Sequence, residues 1–278
     1  MSSYDLLAKH YDAVTGDSST EAAFIDSVIK QAGKSAVTLL EVACGTGSII
    51  ALLADRYRVS GLDISPGQLS VAREKLAVGT ELYLADMSNF RIDATFDAII
   101  CVFHGINHLL SLSAWKDFFS CAYAHLNDGG VLIFDTMTIG YLTMMASVPK
   151  IAQDLGDNHL VIKVHASGGA VFEWNIELFE LQQNGRYELR TEIIRTAAYP
   201  PETIREALGE KFINILIIES DDGVGREDGD KRTWFVCTKP SHPVRLPRQG
   251  CRSLPGGAGA LQGSIPRTSR SGWGMGTG

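Results

Sequence analysis

The chain has 278 residues, with 25 Lys and Arg against 32 Asp and Glu and a formal net charge of −7. That length suits one domain with a large core, or a core with a subdomain. No apolar run is long enough to span a membrane, and the N-terminus lacks a basic-apolar signal segment, so no membrane partner is expected and the location is read as cytoplasmic. The charge is unevenly spread. Residues 240–278 hold five Arg and no Asp or Glu, so residues 1–239 carry 20 basic and 32 acidic side chains, a formal −12. An acidic body is a poor match for a phosphate backbone, and no nucleic-acid partner is expected. The five cysteines, at 44, 101, 121, 237 and 251, form no C-x-x-C pair, which reads as reduced thiols with no metal site.

In chain order, Tyr4-Asp5 and Tyr11-Asp12 come first, in the pattern Y-D-x-x-A-x-x-Y-D on an amphipathic stretch. Val37 to Val42 has the length and branched content of a buried parallel strand. It leads into Ala43-Cys44-Gly45-Thr46-Gly47 and an apolar helical stretch from Ser48 to Ala54. Gly45 and Gly47 allow positive φ and close approach of the backbone to a ligand, and the following helix would present free N–H groups. A dinucleotide fingerprint needs a third glycine where this chain has Ile50. Arg58 to Leu62 reads as a second strand ending at Asp63, where a carboxylate can accept from both hydroxyls of a ribose. Ser65-Pro66-Gly67-Gln68 is a helix start with a capping Ser and Pro at the first helical position. Glu81 to Leu84, followed by Asp86-Met87, reads as a third strand, Phe96 to Val102 as a fourth and Val131 to Phe134 as a fifth.

The pattern E-x-x-C-G-T-G from Glu41, with acidic residues closing the second and third strands, resembles the class I S-adenosylmethionine (SAM)-dependent methyltransferases. The resemblance covers roughly residues 4–239 and implies an α/β fold, a Rossmann-like seven-stranded sheet. SAM is the implied cofactor. The residues implied to contact it are Tyr11, Glu41, Ala43, Gly45, Gly47, Asp63, Ile64, Asp86, Met87 and Val102. Asp63 would hold the ribose, Asp86 the adenine amino group and the N–H after it a ring nitrogen. The N-terminal helix would fold over the bound SAM, with Tyr11 towards its methionine end.

The chain then departs from a plain sheet. Leu160 to His165, Val171 to Leu181 and Tyr187 to Thr196 read as three extra strands, joined at Gly168-Gly169 and Asn184-Gly185. Phe172, Trp174, Ile176 and Leu178 alternate with polar residues. This is an antiparallel β meander inserted at about 155–200, within a methyltransferase domain of residues 1–239. It resembles the small-molecule branch of the family, including amino-sugar N-methyltransferase-like enzymes, where it would act as a lid; it could equally support a homodimer. Pro201 to Leu208 reads as a helix, and Phe212 to Ile218 and Thr233 to Thr238 as the closing strands. Residues 240–278, rich in Gly, Pro, Ser and Arg without periodicity, read as a disordered tail.

Transfer of an activated methyl needs alignment of the nucleophile and exclusion of water. A hydroxyl or protonated amine must also lose a proton. His104 and His108, just past the fourth strand, are the candidate bases, and Asn107 could orient the acceptor. The expected reaction is methyl transfer to a N or O nucleophile of a small-molecule acceptor. Methylation of a protein or tRNA, and a non-catalytic SAM-binding regulator, are the alternatives. Cys44 is read as a small loop residue rather than a nucleophile.

Overall fold

A computed structural model of the chain describes residues 6–32, 36–219 and 232–241. Tyr4-Asp5 and the expected tail beyond Ser241 lie outside the described residues. The elements are α1 (Tyr11–Thr15), α2 (Ser19–Gln31), β1 (Thr38–Val42), α3 (Ser48–Leu53), β2 (Arg58–Asp63), α4 (Pro66–Lys75), β3 (Glu81–Leu84) and β4 (Phe96–Cys101). A 3₁₀ turn at Gly105–His108 follows, then α5 (Leu112–His125), β5 (Leu126–Met137), α6 (Ile139–Ser147), β6 (Ile151–Leu155), β7 (Asn158–Gly168), β8 (Val171–Leu181), β9 (Tyr187–Ala197), α7 (Pro201–Gly209), β10 (Ile213–Glu219) and β11 (Arg232–Thr238).

Seven strands form the main sheet in the order β10-β11-β5-β4-β1-β2-β3. β1 to β5 are mutually parallel, while β11 runs antiparallel to both β5 and β10. The chain leaves β1 towards β2 on one side and returns to β4 on the other. That reversal opens a crevice at the carboxyl ends of β1 and β4, the usual ligand position in an open α/β sheet. Alternation along the buried strands feeds two apolar layers. Leu39, Ile100, Ile133 and Trp234 face α2, α3 and α4. Leu40, Ile99, Phe134 and Phe235 face α5 and α7, with Trp115, Phe118 and Phe119 of α5 packed onto them. Phe134 and Phe235 stack with ring centroids 5.0 Å apart. Below the crevice, Asp97 closes the opposite end of the sheet by accepting from Val37 N, Thr38 N, Thr38 Oγ1 and Asn127 Nδ2.

The second sheet, in the order β6-β7-β8-β9, is antiparallel throughout and lies between β5 and α7 in sequence. Phe172, Ile176 and Leu178 are buried, as their alternation predicts, and the turns fall at Gly168-Gly169 and Asn184-Gly185, where all three glycines take positive φ. The insert has four strands rather than three and begins earlier than expected, because β6 pairs with β7 across a turn at Gly156. In Ile151–Leu155 only Leu155 is buried, so that strand carries no alternation signal. α6 was not expected either; its start is capped by Thr138 Oγ1, which accepts from Tyr141 N at 3.1 Å. β5 begins at Leu126 rather than Val131 and runs through the Asn127–Gly130 stretch that reads as a turn. Leu7, just before α1, packs with Leu155, Leu160, Ile176 and Ile194 of the insert, so the N-terminal segment bridges the two sheets.

Candidate active site

The glycine loop closes β1 in a left-handed run: Ala43, Gly45 and Gly47 have φ of 57°, 53° and 73°. Asp63 holds it in place. Its Oδ2 accepts from Gly45 N and its Oδ1 from Ser65 N, both at 2.8 Å. Gly105 makes the close approach that seats this loop against the turn after β4; a Cβ there would lie 2.9 Å from Ala43 Cβ. The expected helix behind the loop is only six residues long, Ser48–Leu53. It is too short to be treated as an anion-binding dipole. Its first residues are occupied instead by a polar latch. Asp12 of α1 accepts from Thr46 Oγ1 at 2.5 Å, Ser48 Oγ at 2.8 Å and Lys75 Nζ at 2.6 Å. Partial burial works against the ionised form of Asp12, but these hydrogen bonds outweigh it and its carboxyl sits below the usual range.

A cleft of about 650 Å3 opens over this loop. Ala43, Gly45, Asp63, Ile64, Asp86, Met87 and Val102 all line it. Asp86 Oδ1 accepts from Ser88 N and Ser88 Oγ, both at 2.8 Å, which fixes the carboxylate at the end of β3. Tyr11 forms the near wall, and Ile193 to Arg195, on the edge strand of the insert, form the far one. Beside the loop lies a small recess bordered by Glu41, Thr46 and Ser48. Burial pushes the Glu41 carboxyl well above the usual carboxylate range, and nearby Asp63 adds to this. Glu41 Oε2 is buried with no hydrogen-bond partner among the described residues. Burial also raises the Tyr11 phenol, with Asp63 and Glu41 adding to it.

A second chamber of about 230 Å3 sits between α1, the turn after β4 and the inner face of the insert. Tyr11, Phe103, His108 and Ile194 border both spaces, so the chamber adjoins the cleft. Phe103 and His104 both have positive φ, 54° and 63°. Two consecutive non-glycine residues in this region are strained and need outside support. Asp135 supplies it by accepting from His104 N at 3.0 Å. Its other oxygen lies 3.7 Å from His104 Nε2 and 3.4 Å from Arg232 Nε, and Arg232 Nη1 is 3.3 Å from Glu21 Oε1. Glu21, Asp135 and Arg232 are at most 3% exposed. His104 borders the second chamber and His108 borders both spaces. Burial lowers the His108 imidazole to about 4, with His104 adding a little and a bond to the Arg195 backbone opposing.

Two expected residues take a different place from the one their sequence position suggests. Gly47 shapes the loop but does not border the cleft, where a Cβ on it would meet Leu76 at 3.0 Å. Asn107 does not orient an acceptor: it is fully buried, donates to Ala197 O at 2.8 Å and accepts from Met137 N and Thr136 Oγ1, both at 3.0 Å. It clamps the turn after β4 to the ends of β5 and β9. Asp135, Arg232 and Glu21 were missed, although a charged residue within Val131–Met137, otherwise almost wholly apolar, was a visible signal. Cys44 is buried, its thiol pushed well up by that burial, which agrees with a packing role.

Residues 39–130, from β1 into β5, match the methyltransferase domain family, and the whole sheet has the class I methyltransferase architecture; together they support a SAM-dependent methyltransferase enzyme. A crystal structure of a SAM-dependent methyltransferase from Clostridium acetobutylicum ATCC 824 superposes with a TM-score of 0.74 at 22% identity, covering 86% of this chain and 100% of the other. A protein of Geobacillus sp. (strain WCH70) named as a methyltransferase is 25% identical over 247 residues, 85% of this chain and 99% of that one. The dTDP-3-amino-3,6-dideoxy-alpha-D-glucopyranose N,N-dimethyltransferase of Streptomyces fradiae is 31% identical over 134 residues, about half of each chain.

Proposed function

We propose that this chain carries the methyl group of SAM to a nitrogen or oxygen of a small molecule. The observation that carries this reading is the pair of adjoining spaces. A cleft bordered by the glycine loop, Asp63 and Asp86 meets a small chamber under the insert, with Tyr11, Phe103, His108 and Ile194 at the boundary.

The residues present fit SAM. Asp63, whose two oxygens hold the loop through Gly45 N and Ser65 N, lines the cleft with the kind of carboxylate that accepts from ribose hydroxyls. Asp86 keeps Oδ2 for an amino group while Oδ1 is held by Ser88. Glu41 Oε2 in the small recess suits the ammonium of a methionine moiety, whose charge would draw the carboxyl back to its ionised form. SAM supplies a methyl on sulfur already activated for displacement, so no covalent adduct with the chain is needed. Tyr11 and the α1 segment, latched by Asp12, cover the cleft and exclude water. Phe103 and Ile194 fix the line of approach, a proximity effect. His108, lowered by burial and bonded to the Arg195 backbone, sits at the boundary and ties the turn after β4 to the insert beside the nucleophile. His104, backed by Asp135, is the stronger candidate to take the proton itself. A cytoplasmic location is proposed alongside, resting on the free thiols of Cys44, Cys101, Cys121 and Cys237.

The Streptomyces fradiae relative, by its name, methylates the nitrogen of an amino sugar, which supports a small acceptor. The test is incubation with methyl-labelled SAM and three acceptor pools: small amines and phenols, bulk tRNA, and bulk protein. Label in the small-molecule pool is expected. Label confined to tRNA or protein would overturn the reading.

A further inference from the structure

We propose that the acceptor is a small apolar amine without a phosphate group, seated in the chamber under the insert. This rests on the methyltransferase reading above and narrows its substrate class.

The first argument is lining. Leu7, Val14, Met137, Ile162, Trp174 and Ile176 form one continuous apolar side of the chamber wall, which the histidines and Arg232 also border. They come from the N-terminal segment and α1, the end of β5, and strands β7 and β8 of the insert, and they present hydrocarbon and an indole face. Trp174 Nε1 is already spent on Thr196 Oγ1 at 2.9 Å, so its ring is held as a fixed wall. An apolar body gains against this side by desolvation, whereas a sugar with hydroxyls all round its ring would press some of them onto hydrocarbon that cannot replace their hydrogen bonds to water.

The second argument is charge. Among the described residues, the guanidinium bordering the chamber belongs to Arg232, which lies against Glu21 and Asp135 at 3.3 and 3.4 Å. Two carboxylates against one guanidinium leave a formal negative charge beneath the chamber. A diphosphate would meet like charge with no uncommitted cation of the cluster to offset it. At the cleft mouth Arg195 is likewise committed, to Glu173 at 3.1 Å. A protonated amine meets the opposite field. The acidic body of the chain, formally −12 over residues 1–239, favours its approach as well.

The chemistry closes on the same groups. The ammonium form of the acceptor gives a proton to His104, whose imidazolium Asp135 can stabilise at 3.7 Å. The freed nitrogen lone pair forms the N–CH3 bond as the S–CH3 bond breaks, and that bond pair stays on sulfur in the thioether product.

The experiment is calorimetry on the full chain. S-adenosylhomocysteine is titrated first, and its saturable binding establishes the cofactor cleft; failure at this stage refutes the methyltransferase reading and not merely its narrowing. The saturated complex is then titrated separately with 2-phenylethylamine, tryptamine and thymidine diphosphate. At least one amine should bind, thymidine diphosphate should neither bind nor displace it, and Trp174→Ala should weaken the amine by about tenfold or more through lost apolar contact. Val14→Trp, at a half-buried position of α1 that borders the chamber but not the cofactor cleft, should fill the chamber and abolish amine binding while leaving S-adenosylhomocysteine affinity intact. It keeps the test decisive if Trp174→Ala folds poorly. Binding of thymidine diphosphate, binding of neither amine, or amine affinity unchanged in Val14→Trp would each overturn the proposal.

Discussion

Substitution of Asp63 tests the cofactor cleft most sharply, because that carboxylate has two duties. It accepts from Gly45 N and Ser65 N, both at 2.8 Å, and is only 9% exposed. In the proposed complex it also accepts from two ribose hydroxyls. A hydrogen bond to a charged group contributes roughly 1.5–3 kcal/mol, so two ribose bonds account for about 3–6 kcal/mol, or 10²- to 10⁴-fold in affinity. Asp63→Asn keeps the shape and one acceptor oxygen. The amide can satisfy only one of the two backbone donors, so the glycine loop also loosens, at about 1–3 kcal/mol of stability. The expected result is a loss of S-adenosylhomocysteine affinity of about 100-fold together with a lower melting temperature. The two effects separate in a cycle with the 2′-deoxy analogue. Wild type should lose about tenfold or more on removal of the 2′-hydroxyl, while Asp63→Asn should lose little further. Equal losses in both proteins would show that Asp63 supports the loop but does not touch the ribose.

Other perturbations give distinct signatures. The His108 imidazole is lowered to about 4 by burial, so the unfolded chain, with an ordinary value near 6.5, binds the proton first; stability is whole above pH 6.5 and lost as pH falls towards 4. At pH 5 this costs about 1–2 kcal/mol, and urea denaturation of His108→Gln should show a flatter acid limb than wild type. Asn107→Ala removes three buried hydrogen bonds; chemical denaturation should register a loss of about 2–4 kcal/mol, since donors and acceptors are left stranded at the ends of β5 and β9. Lys75→Ala breaks the 2.6 Å contact with Asp12. The α1 segment should then be cut faster by protease and S-adenosylhomocysteine should dissociate sooner in stopped-flow measurements, with the melting temperature nearly unchanged because the pair is partly exposed.

The cofactor half of the molecule was legible because its signals are local. A strand, a glycine turn and an acid at each of two strand ends are readable one segment at a time, and Glu41, Gly45, Asp63, Asp86 and Met87 border the cleft or its recess. The acceptor half depends on long-range juxtaposition. Asp135 meets His104 across 31 positions, and Arg232 meets Glu21 across 211. No periodicity announces such pairs. Asn107 shows the converse error. Its place beyond β4 suggested an acceptor ligand, but its buried amide is turned to Ala197 O, Met137 N and Thr136 Oγ1 instead. β6 was missed because it is half-exposed and short, and it forms only by pairing with β7.

The central claim is that the crevice at the ends of β1 and β4 binds SAM. Calorimetric titration of the purified chain with S-adenosylhomocysteine and, separately, with NAD tests it directly. Saturable one-site binding of S-adenosylhomocysteine with no heat from NAD is the expected outcome. Saturable binding of NAD with none of S-adenosylhomocysteine would contradict it.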